Sequence, residues 1–369
     1  MRVLISGGGT GGHVYPALVV VAALPPNSPV LYVGSEQGME QDLLGPSGVA
    51  FAGVSAAPLR GRAPWTMARN LARLARGTRQ AGRLLASFRP DVVLMTGGYV
   101  SVPVGLAAWR RRIPSLLYLP DIVPGLAVRF LSRLATRVVT TAPDALRHLP
   151  RGKVVVTGYP VRPAFYSAAR RQARAHLGLS EEEMVILVAG GSRGARSINR
   201  AVGMALPALL PKASILHVCG REGDEDWLRE RAGQLPPHLQ TRYRLYPYLH
   251  EEMPLAFAAA DVAICRSGAS TMGELPAAGL PSVLVPYPYV HQEENADYLV
   301  RNGAALKVSD DRLRSCDGRP DAGALIEALQ PILEDPALRA RMAEAARRLA
   351  RPGAAQAMVR QLRELVGVE

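Results

Sequence analysis

The chain has 369 residues, which is too long for one ordinary domain of about 150 residues and predicts two domains. Hydrophobic residues make up 48% of the sequence and charged residues 20%, which excludes a disordered chain, a collagen-like repeat and a disulfide-rich miniprotein. The net charge is +13, and the cysteines, Cys219, Cys265 and Cys316, are too few and too far apart for a disulfide framework or a Cys-x-x-Cys metal site.

The sequence begins on a strand-like run, 3–6, with no charged-then-apolar leader, so we expect a protein that is not exported. The longest apolar run near the start, 14–26, contains three prolines and is shorter than the roughly 20 residues needed to span a bilayer. We therefore expect no membrane-spanning segment and a reducing, cytoplasmic environment.

Almost all of the excess positive charge lies in the first half of the chain. Residues 1–161 hold 18 Lys and Arg against 6 Asp and Glu, a net charge of +12, whereas residues 162–369 carry a net charge of +1. Residues 43–90 contain eight arginines and no acidic residue. This distribution predicts that one face of the first half meets a polyanion.

Short β-branched runs alternate with Ala-, Leu- and Arg-rich segments of helical period, which predicts an α/β protein with parallel sheets. A first series of strands is expected at 3–6, 30–34, 50–54, 91–96, 115–119, 137–141 and 153–157. A second series is expected at 184–189, 214–219, 243–246, 262–265, 282–285 and 304–308. The turn-rich stretch 158–163 separates them, so we predict two Rossmann-like domains, 1–161 and 162–369, that face each other across a cleft. The last helix of the second domain can pack back on the first domain.

Four strand-to-helix turns are rich in glycine and other small residues. The first is Ser6-Gly-Gly-Gly-Thr-Gly-Gly-His13, with a helix expected to follow from Tyr15. The others are 96–101, 190–196 and 266–274. Backbone N–H groups at such helix N-termini bind phosphate or diphosphate, and in the fourth turn those of 269–271 are expected to be free for this. For each turn taken alone, the alternative is that its glycines serve only the packing of a tight turn and bind no ligand.

Two other chemistries fit parts of the sequence. Gly7, Gly9 and Gly12 satisfy the G-x-G-x-x-G spacing, and Glu36 follows the second strand, so a nicotinamide-dependent oxidoreductase is an alternative, although one dinucleotide does not require the other turns. Asp224-Glu225-Asp226 matches an Asp-x-Asp metal–diphosphate motif, but its charge-mixed helical surroundings favour a solvated helix face.

Taken in order, the motifs resemble those of the MurG family of glycosyltransferases over nearly the whole chain. The segments that carry the resemblance are Ser6–His13, Gly97–Ser101, Gly190–Arg196, Cys265–Ala269 with Glu274, and His291–Ala296. The resemblance implies a GT-B fold, with UDP-N-acetylglucosamine held mainly by the second domain and a lipid-linked muramoyl-pentapeptide acceptor by the first. It also implies inverting transfer to the muramoyl 4-hydroxyl, forming lipid II for peptidoglycan, with no metal and no cofactor.

The resemblance assigns roles to residues by motif. The chemistry of the residues themselves makes His13 and Glu274 the candidate catalytic residues. His13, in the first glycine turn, could act as a base toward the attacking hydroxyl or orient the acceptor diphosphate, with a structural histidine as the alternative, and Glu274 could accept hydrogen bonds from the ribose of the leaving nucleotide. The alternative for Glu274 is a surface glutamate near a helix N-terminus, where the helix dipole favours a negative charge. The candidate substrate-binding residues are Thr10, Gly11, Gly12, Tyr99, Asp121, Arg162, Ser192, His250, Ala269, Ser270, Thr271, Met272, Gly273, Gln292 and Asn295.

Two segments depart from the family pattern. Tyr118-Leu119-Pro120-Asp121 stands where His-Glu-Gln-Asn is usual, so Asp121 replaces a neutral amide by a carboxylate. Tyr159 replaces the usual asparagine before Pro160-Val161-Arg162. A relative acting on a different lipid-linked sugar is therefore an alternative.

A helix expected around 65–88 carries arginines on one face with apolar residues nearby, and 109–112 can extend this basic surface. The pattern favours binding to an anionic bilayer, with a solvated helix face as the alternative. Nucleic acid is not expected as a partner, because no helix-turn-helix, zinc finger or stacking aromatic motif accompanies the arginines. We therefore expect a peripheral protein on the cytoplasmic face of the cell membrane. The arginines and apolar residues of the helix are Arg69, Arg73, Arg76 and Arg83, with Trp65, Met67, Leu71 and Leu74.

Overall fold

The computed structural model describes residues 1–8, 11–36, 38, 40–57, 64–222 and 224–367. The chain forms two compact units: Met1–Val161 together with Gly353–Glu369, and Arg162–Pro352. The boundary between Val161 and Arg162 lies inside the turn-rich stretch 158–163.

The described part of the first unit contains a seven-stranded sheet in which the paired strands are parallel, in the order β3-β2-β1-β4-β5-β6-β7. The strands are β1 (Val3–Gly7), β2 (Val30–Ser35), β3 (Ala50–Val54), β4 (Val92–Gly97), β5 (Ser115–Leu119), β6 (Arg137–Thr140) and β7 (Val154–Val156). The helices are α1 (Gly11–Ala23), α2 (Glu40–Leu44), α3 (Pro64–Phe88), α4 (Ser101–Arg110), α5 (Leu126–Leu134) and, from the end of the chain, α16 (Ala354–Val366). Short 3-10 helices cover Gly45–Ser47 and Pro143–His148.

Every residue of β1, β4 and β5 is buried, as expected of parallel strands whose two faces are both covered by helices. On one face the core joins these strands to α3 and α4. Gly77 allows α3 to approach the end of β3, because a Cβ atom there would lie 1.9 Å from the Ser55 carbonyl oxygen. On α16, Met358 and Leu362 are fully buried, and Arg137 on β6 donates a hydrogen bond to Gln361 at 2.7 Å.

The described part of the second unit contains a six-stranded sheet with parallel pairs, in the order β10-β9-β8-β11-β12-β13. The strands are β8 (Val185–Ala189), β9 (Ser214–Val218), β10 (Tyr243–Tyr246), β11 (Val262–Cys265), β12 (Ser282–Leu284) and β13 (Ala305–Lys307). The helices are α6 (Ala164–Ser167), α7 (Arg170–His176), α8 (Arg196–Leu209), α9 (Glu225–Gly233), α10 (Pro237–Gln240), α11 (Met253–Ala259), α12 (Thr271–Ala278), α13 (Glu293–Arg301), α14 (Gly323–Glu334) and α15 (Pro336–Leu349), with a 3-10 helix at Asp310–Leu313.

These sheets confirm the predicted α/β class, and each predicted strand is present with its ends within one residue of the expected ones. The first helix differs from the prediction, because α1 begins at Gly11 rather than Tyr15. Gly11 and Gly12 continue into the helix instead of ending the loop, so Pro16 lies inside α1 and not in its first turn.

The direction of strand addition reverses once in each sheet. In the first unit the reversal lies between β1 and β4, and in the second it lies between β8 and β11. Open α/β sheets bind ligands beyond the carboxyl ends of their strands at such a switch point. The four glycine-rich turns follow these four strands, so two turns flank the switch point of each unit.

Candidate functional site

The turns after β1 and β4 in the first unit touch through glycine. A Cβ atom on Gly98, whose φ is +78°, would lie 2.1 Å from the Gly8 carbonyl oxygen. A Cβ atom on Gly97, whose φ is +102°, would lie 3.0 Å from Cε1 of His13. The glycines at 97 and 98 are therefore required both by their backbone conformation and by the close approach of the two turns.

His13 lies in the first turn of α1, and a backbone carbonyl holds its ring. The Nδ1 atom is 2.8 Å from the carbonyl oxygen of Thr96, and the Thr96 hydroxyl donates to the His13 carbonyl at 2.8 Å. A carbonyl can only accept, so in the neutral ring Nδ1 carries the hydrogen and Nε2 keeps its lone pair. Burial lowers the pKa of His13, against the opposing charges of Asp121 and Glu40. The arrangement supplies a neutral imidazole with a basic Nε2.

The carboxylate of Glu40 is an unpredicted member of this group. Its side chain is fully buried against Gly8, where a Cβ atom would lie 2.0 Å from the Glu40 Oε1 atom. The Tyr32 hydroxyl donates to the Gly7 carbonyl at 2.9 Å, and burial together with the Glu40 charge raises the pKa of that hydroxyl. Glu40 thus lies beneath the first glycine turn, a position that its place after the second strand did not indicate.

The two departures from the family pattern lie together in the first unit. Tyr118, at the end of β5, is fully buried, and its hydroxyl lies 2.8 Å from the Thr141 hydroxyl. Its ring centre is 6.3 Å from that of Tyr159, which is also buried. Asp121, two residues beyond β5, is partly buried and acts electrostatically on His13 and Tyr118. The replacements at 118 and 159 therefore form one packed pair.

The other predicted residues of the first unit lie at the same switch point where the structure describes them. Gly11 and Gly12 are the first two residues of α1, and Tyr99 lies just before α4, partly buried. Thr10, with Gly9, lies outside the described residues.

In the second unit, the turn 190–196 after β8 packs closely on the turn after β9. A Cβ atom on Gly194, whose φ is +90°, would lie 2.1 Å from the Cys219 carbonyl oxygen. Arg193 forms a two-pronged ion pair with Glu222, at 2.7 and 2.9 Å. Ser192 is exposed, and its carbonyl accepts a hydrogen bond from the backbone N–H of Arg221 at 3.3 Å. The closely packed loop thus presents Ser192 to solvent.

The turn after β11 is held from below by α13. Asn295 is fully buried and donates from Nδ2 to the Ser267 carbonyl at 3.0 Å, while the Ser267 hydroxyl donates to the Gln292 carbonyl at 2.8 Å. The N–H of Thr271, expected to be free, instead donates to the Gly268 carbonyl at 3.1 Å. This turn bond leaves the N–H groups of Ala269 and Ser270 as the candidate donors to an anion. The next two residues of the predicted set, 272 and 273, are buried in the first turn of α12.

Glu274 and Arg162 lie at the same end of the second unit. Burial raises the pKa of the Glu274 carboxyl, whereas the positive charge of Arg162 and a hydrogen bond from Ser270 act to lower it. Arg162 donates from Nη1 to the His250 carbonyl at 3.0 Å, and the His250 ring stacks on Tyr248 with 6.3 Å between ring centres. The structure therefore joins three residues that are far apart in the sequence, 162, 250 and 274. Nearby, Oε1 of Gln292 accepts a hydrogen bond from the backbone N–H of Tyr287 at 2.9 Å.

The Asp-x-Asp motif is not presented as a metal site. Asp224 is buried, 3.3 Å from Arg200 and 3.2 Å from the Asn199 amide nitrogen, so its carboxylate already has a cation and an amide donor. Glu225 pairs with Arg229 one helical turn later. In the part of the chain that the structure describes, no three His, Cys, Asp or Glu side chains are grouped so as to hold a metal ion.

The sequence patterns of two family domains match the chain. Residues 3–140 match the glycosyltransferase family 28 N-terminal domain, and residues 185–358 match the glycosyltransferase family 28 C-terminal domain. The crystal structure of MurG from Acinetobacter baumannii is similar to this chain, with a TM-score of 0.77 and 29% identity over 98% of this chain and 99% of that one. A UDP-GlcNAc 2-epimerase from Neisseria meningitidis shares the fold alone, at 16% identity, a TM-score of 0.68 and coverage of 99% and 100% of the two chains.

Curated relatives match over nearly their full length. A protein of Roseiflexus sp. is 48% identical over 99% of this chain and 95% of its own length, and one of Desulforudis audaxviator is 40% identical over 100% and 99%. Both are named UDP-N-acetylglucosamine--N-acetylmuramyl-(pentapeptide) pyrophosphoryl-undecaprenol N-acetylglucosamine transferase. The chain has the GT-B fold, and it belongs to the MurG family of glycosyltransferase family 28.

Proposed function

We propose that this protein transfers N-acetylglucosamine from UDP-N-acetylglucosamine to the muramoyl 4-hydroxyl of undecaprenyl-diphosphate-linked N-acetylmuramoyl-pentapeptide, forming lipid II with inversion and without a metal. The names of the curated relatives support the donor and the acceptor. The observation that carries the proposal is the placement of four glycine-rich turns at the two switch points, since donor and acceptor each contain a diphosphate.

The second unit is proposed to bind the donor. The N–H groups of Ala269 and Ser270 precede α12, where the positive end of the helix dipole favours a diphosphate. The Glu274 carboxylate can accept hydrogen bonds from the ribose, and Arg162 adds positive charge beside it. UDP gains negative charge as it leaves, so these fixed groups stabilise the departing nucleotide. The loop that contains Leu249 and His250 is proposed to contact the uracil, with Ser192 on the diphosphate and Gln292 on the sugar.

The first unit is proposed to bind the acceptor diphosphate and to supply the base. The Thr96 carbonyl fixes the His13 ring so that Nε2 is the proton acceptor. Burial keeps the ring neutral at neutral pH, which is the form that can take a proton from the attacking hydroxyl. The hydroxyl oxygen then bonds to the anomeric carbon of the donor sugar as the bond from that carbon to the UDP oxygen breaks.

A transfer assay tests the donor, the acceptor and the metal requirement together. Radiolabelled sugar should pass from UDP-N-acetylglucosamine to synthetic lipid I at the same rate with and without a chelator. A titration with NAD is the control, because the oxidoreductase alternative predicts binding of NAD and not of the UDP-sugar. Absence of transfer to lipid I, with transfer to another lipid-linked sugar, would replace the proposed acceptor.

We also propose that the first unit docks on the anionic cytoplasmic surface of the cell membrane. The predicted arginines of α3 are all exposed, and Trp65 on α3 is 76% exposed. Between α3 and α4 lies a cavity of about 680 Å³ lined by Leu71, Arg79, Trp109 and other residues of both helices. Exposed apolar rings beside arginines suit the interface of an anionic bilayer. No helix among the described residues is both long enough and apolar enough to cross a bilayer.

Charge reversal tests the docking surface. The triple variant R69E, R73E and R76E should lose binding to phosphatidylglycerol vesicles, because about 1 kcal/mol of attraction per arginine becomes repulsion. The matched control carries R314E, R341E and R348E, three exposed arginines of the second unit, and should retain binding. Equal binding of both variants would overturn the docking proposal without affecting the transfer reaction.

A further inference from the structure

Arg266 opens the turn after β11, but its side chain points into a network of hydrogen bonds within the protein. Its Nη1 atom donates to the Val285 carbonyl at 3.1 Å and the Pro286 carbonyl at 3.3 Å, beyond the end of β12. Nη1 also pairs with Asp310 at 2.6 Å, and Nη2 donates to the Ser197 hydroxyl at 2.8 Å. The guanidinium is thus occupied by internal partners from three other segments.

The contacts of Arg266, Ser197 and Asp310 close into a ring, here called the clamp. The Ser197 hydroxyl donates to Asp310 Oδ1 at 2.5 Å, the same oxygen that accepts from Arg266. The side chains of Arg266 and Asp310 are only 11% and 13% exposed. A charge-assisted pair with little exposure and a third polar partner holds its geometry far better than a solvated ion pair.

The clamp joins the two turns that are proposed to bind the donor diphosphate. Ser197 is the second residue of α8, directly after the turn 190–196, and Arg266 begins the turn after β11. The strands β8 and β11 are hydrogen-bonded neighbours at the switch point. The 3-10 helix at Asp310–Leu313 supplies the carboxylate that fixes both side chains. The clamp therefore ties the start of α8 to the turn after β11.

We propose that the clamp is a positioning device for the donor diphosphate, with Asp310 as the residue that locks Arg266 and Ser197 so that both turns reach the two phosphates together. This inference rests on the proposed function. Asp310 lies outside every motif that carries the family resemblance, and none of the three side chains needs to touch the ligand.

Binding of UDP and of uridine separates positioning from general stability. D310N keeps an oxygen acceptor and removes the charge, and it should weaken UDP binding about tenfold while changing uridine binding less than about twofold. S197A should weaken UDP binding about threefold with the same selectivity. The control R312Q alters the exposed Arg312–Glu327 pair on the same 3-10 helix and should leave both affinities unchanged.

The ratio of the two affinities decides the outcome, because uridine lacks the diphosphate. Equal losses of UDP and uridine binding in D310N would indicate a general structural role and overturn the inference, as would unchanged UDP binding. A thermal unfolding midpoint for each variant shows which chains are folded, and S197A provides the test if D310N does not fold. Failure of the unaltered chain to bind UDP would instead overturn the proposed function, and the inference with it.

Discussion

The two switch points use the same strand–turn–helix geometry but are held together by different forces. In the first unit, neutral hydroxyls hold the turns by donating to backbone carbonyls: Tyr32 to Gly7 at 2.9 Å, and Ser101 to Ser6 at 2.9 Å. In the second unit, neutral donors such as Asn295 also hold the turn after β11, but the ion pair of Arg266 and Asp310 is added to them. In the first unit burial lowers the pKa of His13, whereas in the second unit the guanidinium of Arg162 lies near the Glu274 carboxyl, where the nucleotide is proposed to bind.

The difference matches the two tasks that are proposed for the two units. A base must stay unprotonated, and at His13 burial disfavours the cationic form more than the charges of Asp121 and Glu40 favour it. A site for a departing diphosphate needs fixed donors and positive charge that do not reorganise during the reaction. Variants in the first unit should therefore change the rate and its pH dependence, and variants in the second unit should change nucleotide affinity.

The largest expected effect is on His13. In His13→Gln the side-chain amide can still donate to the Thr96 carbonyl but cannot take a proton, so we expect kcat to fall by about 100- to 10,000-fold. UDP affinity should be unchanged. Transfer kinetics with a lipid I analogue and calorimetric titration of UDP measure the two quantities. A loss of UDP affinity with kcat preserved would reverse the roles assigned to the two units.

The next effect in size is on Glu274. Glu274→Ala removes a carboxylate acceptor, so the dissociation constant of UDP should rise about 10- to 100-fold. The pKa of Glu274 is raised, so its ionised fraction, and with it UDP affinity, should fall on acidification at a higher pH than for an ordinary glutamate. Glu274→Gln should lack this pH dependence. Wild-type affinity in Glu274→Ala would remove the residue from the donor site.

A smaller effect concerns the charge that faces His13 from Asp121. Asp121 raises the pKa of His13, so Asp121→Asn should lower that pKa and move the acid limb of kcat to lower pH. Glu40→Gln should act in the same direction, since Glu40 also raises that pKa. Asp42→Asn, an exposed position on α2, is the control. A shift of the limb to higher pH would contradict the base assignment.

The smallest effect is expected in the Asp-x-Asp stretch. Glu225→Gln breaks only a surface pair with Arg229, so transfer should keep its rate and its insensitivity to chelator. Asp226→Asn, in the same helical turn, should behave alike. A loss of activity restored by added Mg²⁺ or Mn²⁺ in either variant would instead indicate a metal–diphosphate site in the second unit.

The strands were predictable because each is a short β-branched run bounded by turn residues. The segments between them have the hydrophobic period of a helix, and this alternation indicates βα units. The glycine turns were predictable for the same reason, since they follow strand ends directly. Their pairing at the switch points depends on the strand order, which the structure gives and the sequence analysis did not predict. The family resemblance then located Glu274 and Arg162, which no local pattern connects.

Contacts between distant segments were not predictable. Thr96 holds His13 across 83 residues, and Asp310 meets Ser197 across 113. Such pairs depend on the relative placement of strands and leave no periodic signal in the sequence. The start of α1 was misplaced because glycine normally favours loops, whereas here Gly11 and Gly12 are helical at a site of close contact between turns.

The position of α16 has a consequence for biosynthesis. Residues 353–369 are translated after the whole of the second unit, yet they belong to the first unit, where Leu362 is fully buried. The seven-stranded sheet is therefore synthesised about 200 residues before α16, and the apolar surface that α16 covers stays exposed until that helix has been made. A nonsense codon within α16 would thus destabilise the unit that is made first.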